Sequence, residues 1–139
     1  MSAFIPMPFR TMYSATKAAV NNFTYGLSME LADTGIQATA ICLGDIQTHF
    51  AARRQASTDT SLRYGGRIAK VDKFMDSRPI VKKMSLDKAV NHICKIASAP
   101  KLKPLYLISA KYKAAFLLNK TIPAKYLLRI VSKAMGNTQ

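Results

Sequence analysis

The stretch from Thr11 to about Asp33 narrows the possible folds more than any other part of the chain. Ala15, Ala19, Phe23, Leu27 and Leu31 recur at helical spacing, Val20 and Met29 widen the apolar face, and no Pro interrupts it. The pattern predicts one long helix. Ser14, Ala15, Ala18, Ala19 and Ser28 leave little bulk on several of its faces, which permits close approach of another helix, a sheet or a ligand. Gly35 stops the helix, and Ile36–Cys42, rich in β-branched residues, reads as a strand that ends at Leu43-Gly44. A helix closed by Gly and followed at once by a short, largely apolar strand is an αβ step of a parallel sheet. The expected class is therefore α/β.

Residues 45–83 hold no sustained period, contain Gly65-Gly66 and Pro79, and are crowded with Arg and Lys; they read as a long irregular segment with one short helix. Ser85 is placed to cap a helix from Leu86, with Asp87 in its first turn and Ala89, Val90, Ile93, Ile96 and Ala97 inward, ending at Pro100. Leu105–Ile108 reads as a second strand. Two further helical patterns follow, Lys111–Asn119 and Pro123–Met135, the latter with Pro in its first turn and Gly136 at its close. Two strands are few for an open parallel sheet, which usually has about five or six. The expectation is the end of a larger doubly wound sheet of Rossmann-like type, with its nucleotide-binding strands N-terminal to Met1.

Composition bounds the function classes. With 139 residues, 49% of them apolar, the chain can build a core, which excludes wholesale disorder. It holds no apolar run of the ~20 residues a spanning helix needs, and Met1–Phe9 has neither the basic start nor the apolar core of a signal peptide. Cys42 and Cys94 sit in apolar segments with no CxxC or Cys/His ligand spacing, and His49 and His92 complete no metal pattern, so buried free thiols and no metal are expected. The charge of +14 is lopsided: residues 1–50 carry two cations against three acids, and all the excess lies beyond. A basic second half suits an anionic partner or a solvated face.

Tyr13 and Lys17 lie four residues apart near the start of the long helix, on one face. A Tyr hydroxyl can give and take a proton near neutrality only if its anion is stabilised, and an ammonium one turn along does that. With six Tyr and many Lys in the chain, this spacing alone does not distinguish a catalytic pair from a solvated helix pair. The surrounding register does. Tyr13-Ser14-Ala15-Thr16-Lys17-Ala18-Ala19-Val20, then Phe23-Thr24, Gly26-Leu27, Glu30-Leu31, Gly35-Ile36, a strand, Gly44 and Thr48 resemble the short-chain dehydrogenase/reductase family. The clear resemblance spans about Ile5 to Phe50 and runs from the family's Tyr-x-x-x-Lys to its post-strand glycine loop.

The resemblance implies an NAD(P)-dependent oxidoreductase that transfers hydride between nicotinamide and a carbonyl or alcohol. Tyr13 would be the proton donor in reduction and the base in oxidation. Lys17 would hold the nicotinamide ribose hydroxyls and stabilise the Tyr13 phenolate. Gly44, Ile46 and Thr48 would lie against the nicotinamide end of the cofactor, the Ile46 backbone meeting the carboxamide, and His49 and Phe50 would line the substrate side. In these terms residues 1–50 are the Tyr/Lys helix, strand and cofactor loop, 51–84 a substrate lid, and 85–139 the C-terminal helices and last strand.

Two departures stand against the pattern. The family's carbonyl-polarising Ser falls just ahead of Met1, and Ser2, eleven residues before Tyr13, is out of register. The glycine-rich turn, the pyrophosphate-binding helix and the residue choosing NAD or NADP are likewise missing, so this chain by itself is expected to be inactive. Leu43 stands where the family usually has Pro, which frees the turn before Gly44. The expected partners are a small carbonyl or alcohol substrate of apolar character and, in the complete parent, a second copy of the chain, with no nucleic acid. The expected place is cytoplasmic, with peripheral membrane contact through 123–135. That contact motivates the alternative of a non-enzymatic, basic, membrane-surface or partner-binding fragment: Lys125, Arg129 and Lys133 oppose Leu127, Leu128, Val131 and Met135. The favoured expectation for that apolar face is packing on the domain or on a second subunit.

Overall fold

The computed structural model describes residues 2–47, 64, 66–76 and 83–135. Among them are five helices and a two-stranded parallel sheet, an α/β arrangement: α1 (Thr11–Glu30), β1 (Ala40–Cys42), α2 (Arg67–Asp76), α3 (Leu86–Ala97), β2 (Leu105–Leu107), α4 (Ala110–Thr121) and α5 (Ala124–Ala134). β1 and β2 pair in register Ala40↔Leu105, Ile41↔Tyr106 and Cys42↔Leu107. α1 contacts β1 and α4 contacts β2. The two strands and the αβ order agree with the sequence reading, and the short helix expected within 45–83 is α2.

The helix α1 ends before Gly35. Leu31 N–H bonds back to Leu27 C=O, and the turn that follows uses two left-handed residues, Asp33 (φ 68°) and Gly35 (φ 80°). Thr34 fastens it, its hydroxyl donating to Leu31 C=O and accepting from Ile36 N–H. β1 is shorter than the expected Ile36–Cys42 because side chains take over the pairing at its start. The Gln37 amide donates to Pro100 C=O at 3.0 Å and accepts from Leu102 N–H at 2.7 Å, and the Thr39 hydroxyl donates to Lys103 C=O at 2.7 Å. One exposed amide thus does for residues 100–102 what a ladder would do.

Three expectations about faces and caps are corrected. On α1 the buried residues are Ser14 and Asn21, with Ala18, Tyr25 and Ser28 half-buried on the same stripe, while Met12, Val20, Phe23 and Met29 are exposed. The small and polar side of the helix meets the rest of the described chain because it admits the closest approach. On α3 only Ala89 and Ile96 are buried, Val90, Ile93 and Ala97 lying open, and Ser85 sits at the N-cap position without a side-chain cap bond. Cys42 and Cys94 are free, as expected, but Cys42 is only half-buried and Cys94 is exposed. No cluster of metal-ligating side chains occurs among the described residues.

The core sits away from the sheet. Met7, Val71 and Met135 pack together with Phe9 and Val131 against them, joining the N-terminal arm, α2 and α5. Phe9 adopts φ 57°, a costly conformation for a non-glycine residue, and its ring packing offsets the strain. Leu127 is also buried, so the inward stripe of α5 is Leu127, Val131 and Met135. Leu128, expected on the same inward face, is instead 48% exposed, so only part of that face packs on the domain. Phe4 continues the arm onto α4, its ring edge-on to Phe116 at 5.0 Å.

Candidate active site

The first two turns of α1 present Tyr13 and Lys17 together, with the Lys17 ammonium over the Tyr13 ring, 5.6 Å from its centroid. Tyr13 is exposed, so its hydroxyl is open to a ligand. The arm before it is held in place: Ser14 Oγ accepts from Met7 N–H at 3.4 Å, and Arg10 N–H closes a turn on Met7 C=O. Three residues ahead of Tyr13, Arg10 reaches Asp72 of α2 at 3.3 Å, and Phe9 meets Tyr64 edge-on at 5.5 Å. Tyr64 and α2 are therefore tied back onto the residues that lead into α1. Nothing in the separation of these residues along the chain announced those two contacts.

At the carboxyl end of β1 the backbone turns through Gly44, which has φ 97°. A Cβ there would stand 2.7 Å from Cε2 of Tyr112 on α4, so both backbone conformation and the neighbouring ring require glycine. Ile46 forms an isolated parallel bridge with Met84: Met84 N–H donates to Asp45 C=O and Gln47 N–H to Met84 C=O, both at 2.9 Å. In a parallel bridge the bonded groups belong to the neighbours of Ile46. Its own N–H and C=O face the other way and have no partner among the described residues. Tyr112 and Met84, which hold Gly44 and Ile46 in place, were not singled out in the sequence because their partners lie 38 to 68 residues away.

Thr48, His49 and Phe50, expected to touch cofactor and substrate, lie outside the described residues, as does most of the expected lid, 51–84, apart from residues 64, 66–76 and 83–84. Burial raises the Cys42 thiol above its ordinary range, which makes it a poor nucleophile, and burial with the nearby Cys42 charge raises Tyr25 as well. A cleft of about 470 Å³ opens between Tyr25, residues 103–107, Lys113 and Phe116. Tyr25 is about 18 Å along α1 from Tyr13, which separates this cleft from the Tyr13–Lys17 pair.

Comparison with known proteins bears on this arrangement directly, since residues 1–59 match the family described as short chain dehydrogenase. The similarity to that family lies in the N-terminal part of this chain. An uncharacterized oxidoreductase of Staphylococcus aureus strain USA300 is 46% identical over 52 residues, covering 37% of this chain and 22% of the relative. The uncharacterized oxidoreductase UxuB of Bacillus subtilis is 41% identical over 64 residues, covering 44% of this chain and 23% of the relative. The match thus spans under a quarter of the length of these curated relatives. Within the segment that matches this family fall α1, β1, Tyr13, Lys17, Gly44 and Ile46; α2 to α5 and β2 lie beyond it.

Proposed function

We propose that this chain supplies the proton-transfer pair and the nicotinamide-facing loop of an NAD(P)-dependent oxidoreductase of the short-chain dehydrogenase type. The observation that carries the reading is the Tyr13–Lys17 pair, in contact on α1 and inside the family match. Element lengths support it. From Tyr13 to the end of α1 is about 25 Å of helix, and from Ile36 to Gly44 about 27 Å of extended chain. A helix and strand in contact across a tight turn then bring Tyr13 and Gly44 to the same end, where ligands of open α/β sheets bind.

The residues present fit one end of the cofactor. The N–H and C=O of Ile46, which have no partner among the described residues, match a carboxamide, which has both a donor and an acceptor, and Gly44 lets a flat ring approach the backbone. When bound, a nicotinamide supplies or accepts hydride. The Tyr13 hydroxyl gives the proton to the carbonyl oxygen in reduction and takes it from the hydroxyl in oxidation. The Lys17 ammonium stabilises the phenolate and binds ribose hydroxyls. The 139 residues contain no glycine-rich G-x-G-x-x-G turn, so pyrophosphate binding, and with it turnover, needs residues this sequence does not carry. The substrate is a carbonyl or alcohol compound.

The test uses nicotinamide mononucleotide, which lacks the adenylate half. In the isotope-labelled chain it is expected to shift the Ile46 amide resonance and those of Tyr13 and Lys17, and Lys17→Met should weaken binding about tenfold. Resonances that stay put at all three positions would remove the site.

A further inference from the structure

The C-terminal pair of helices carries a second surface that the oxidoreductase reading does not use. After Asp87 the chain contains no acidic residue as far as Gln139, against ten Lys and Arg. On α5 the exposed Lys125, Arg129 and Lys133 form one stripe, and none has an acidic partner among the described residues. The inward stripe of this helix, Leu127, Val131 and Met135, is already satisfied by the core. Yet the outward side also shows Tyr126 and Ile130, 55% and 56% exposed, three residues before Arg129 and Lys133 and so beside the basic stripe. Leu117, 64% exposed on α4, repeats the arrangement between Lys113 and Lys120.

We propose that the outward face of α5 is a docking surface for a bilayer containing anionic phospholipid. Cations without acidic neighbours are drawn to a negative headgroup layer, and each contributes near the surface. Tyr126 and Ile130 explain why the partner is a lipid surface. Their apolar bodies gain free energy below the headgroups, where a tyrosine ring keeps its hydroxyl in water, whereas a phosphate backbone gives an exposed isoleucine nothing to bury against. No helix among the described residues is long and apolar enough to cross a membrane, so the contact lies along the surface.

The test is sedimentation of the full chain with phosphatidylcholine vesicles, with and without phosphatidylserine. Binding is expected only to the mixed vesicles and should fall as salt rises. The triple variant Lys125→Gln/Arg129→Gln/Lys133→Gln should bind about a hundredfold more weakly. Tyr126→Ser/Ile130→Ser, at exposed positions and unchanged in charge, should weaken binding about tenfold or more. Circular dichroism checks that both variants keep their helices. Because the sequence has no Trp, Ile130→Trp is a lone reporter, and its emission should shift to the blue on mixed vesicles. Unshifted emission from sedimented protein, or undiminished binding by the triple variant, overturns the proposal. So does duplex DNA binding as tight as vesicle binding and indifferent to Tyr126→Ser/Ile130→Ser, which would make the surface a nucleic-acid site.

Discussion

α1 and α5 are both amphipathic helices of this chain, and they spend their apolar residues in opposite ways. On α5 and at its C-cap, Leu127 and Met135 are 7% and 4% exposed, and Met135 packs with Val131 against the arm and α2. On α1, Met12, Phe23 and Met29 are at least 70% exposed, and the helix turns Ser14 and Asn21 inward. A periodic apolar stripe therefore says which residues can be buried, and the elements available to pack against decide which are. The arm, α2 and α5 close on one another around Val71; the two short strands give α1 much less to cover it.

The comparison breaks first at Val71, which is 1% exposed. Val71→Asp should cost several kcal/mol and uncouple α2 from α5, read as a large drop in the urea midpoint, whereas Phe23→Ala on the open face of α1 should stay within about 0.5 kcal/mol. Equal losses at the two positions would mean that α1 is as well packed as α5. Gly44→Ala comes next, with about 2 kcal/mol lost to its φ of 97° and the approach of Tyr112. Adding Tyr112→Ala should recover the steric share and leave the backbone share, a difference that a double-mutant cycle reads.

A smaller effect tests how the sheet side is held. Gln37→Ala removes both bonds to the 100–102 segment and should cost about 1 kcal/mol, with faster hydrogen exchange at Leu102 N–H. The mildest is chemical. Exposed Cys94 should be alkylated by iodoacetamide well before Cys42. Since burial raises the Cys42 thiol, its thiolate forms only at higher pH, so its labelling should begin to climb at a pH above that of an ordinary thiol.

Much of this was legible in advance. The α1–turn–β1 step, the second strand at Leu105 and the helices α3 to α5 follow from local periodicity and from Gly and Pro punctuation, and Tyr13 meets Lys17 because a helix makes neighbours of residues four apart. Gly44 was marked by its place at a strand end. The partners of that site were not legible: Tyr112 against Gly44, Met84 beside Ile46 and Asp72 on Arg10 join elements far apart in sequence. The same holds for Gln37, an exposed polar residue whose role depends on where residues 100–102 pass.

By itself, then, the sequence determined the elements, their order, the parallel sense of the sheet and the meeting of Tyr13 with Lys17, because each depends on contacts within a few residues or on local punctuation. Tertiary structure alone decided which helical faces are buried, where the small core lies and what holds the loop after β1. Those outcomes depend on packing between distant segments, where the free energy of a buried face is set by the surface it meets as much as by its own residues.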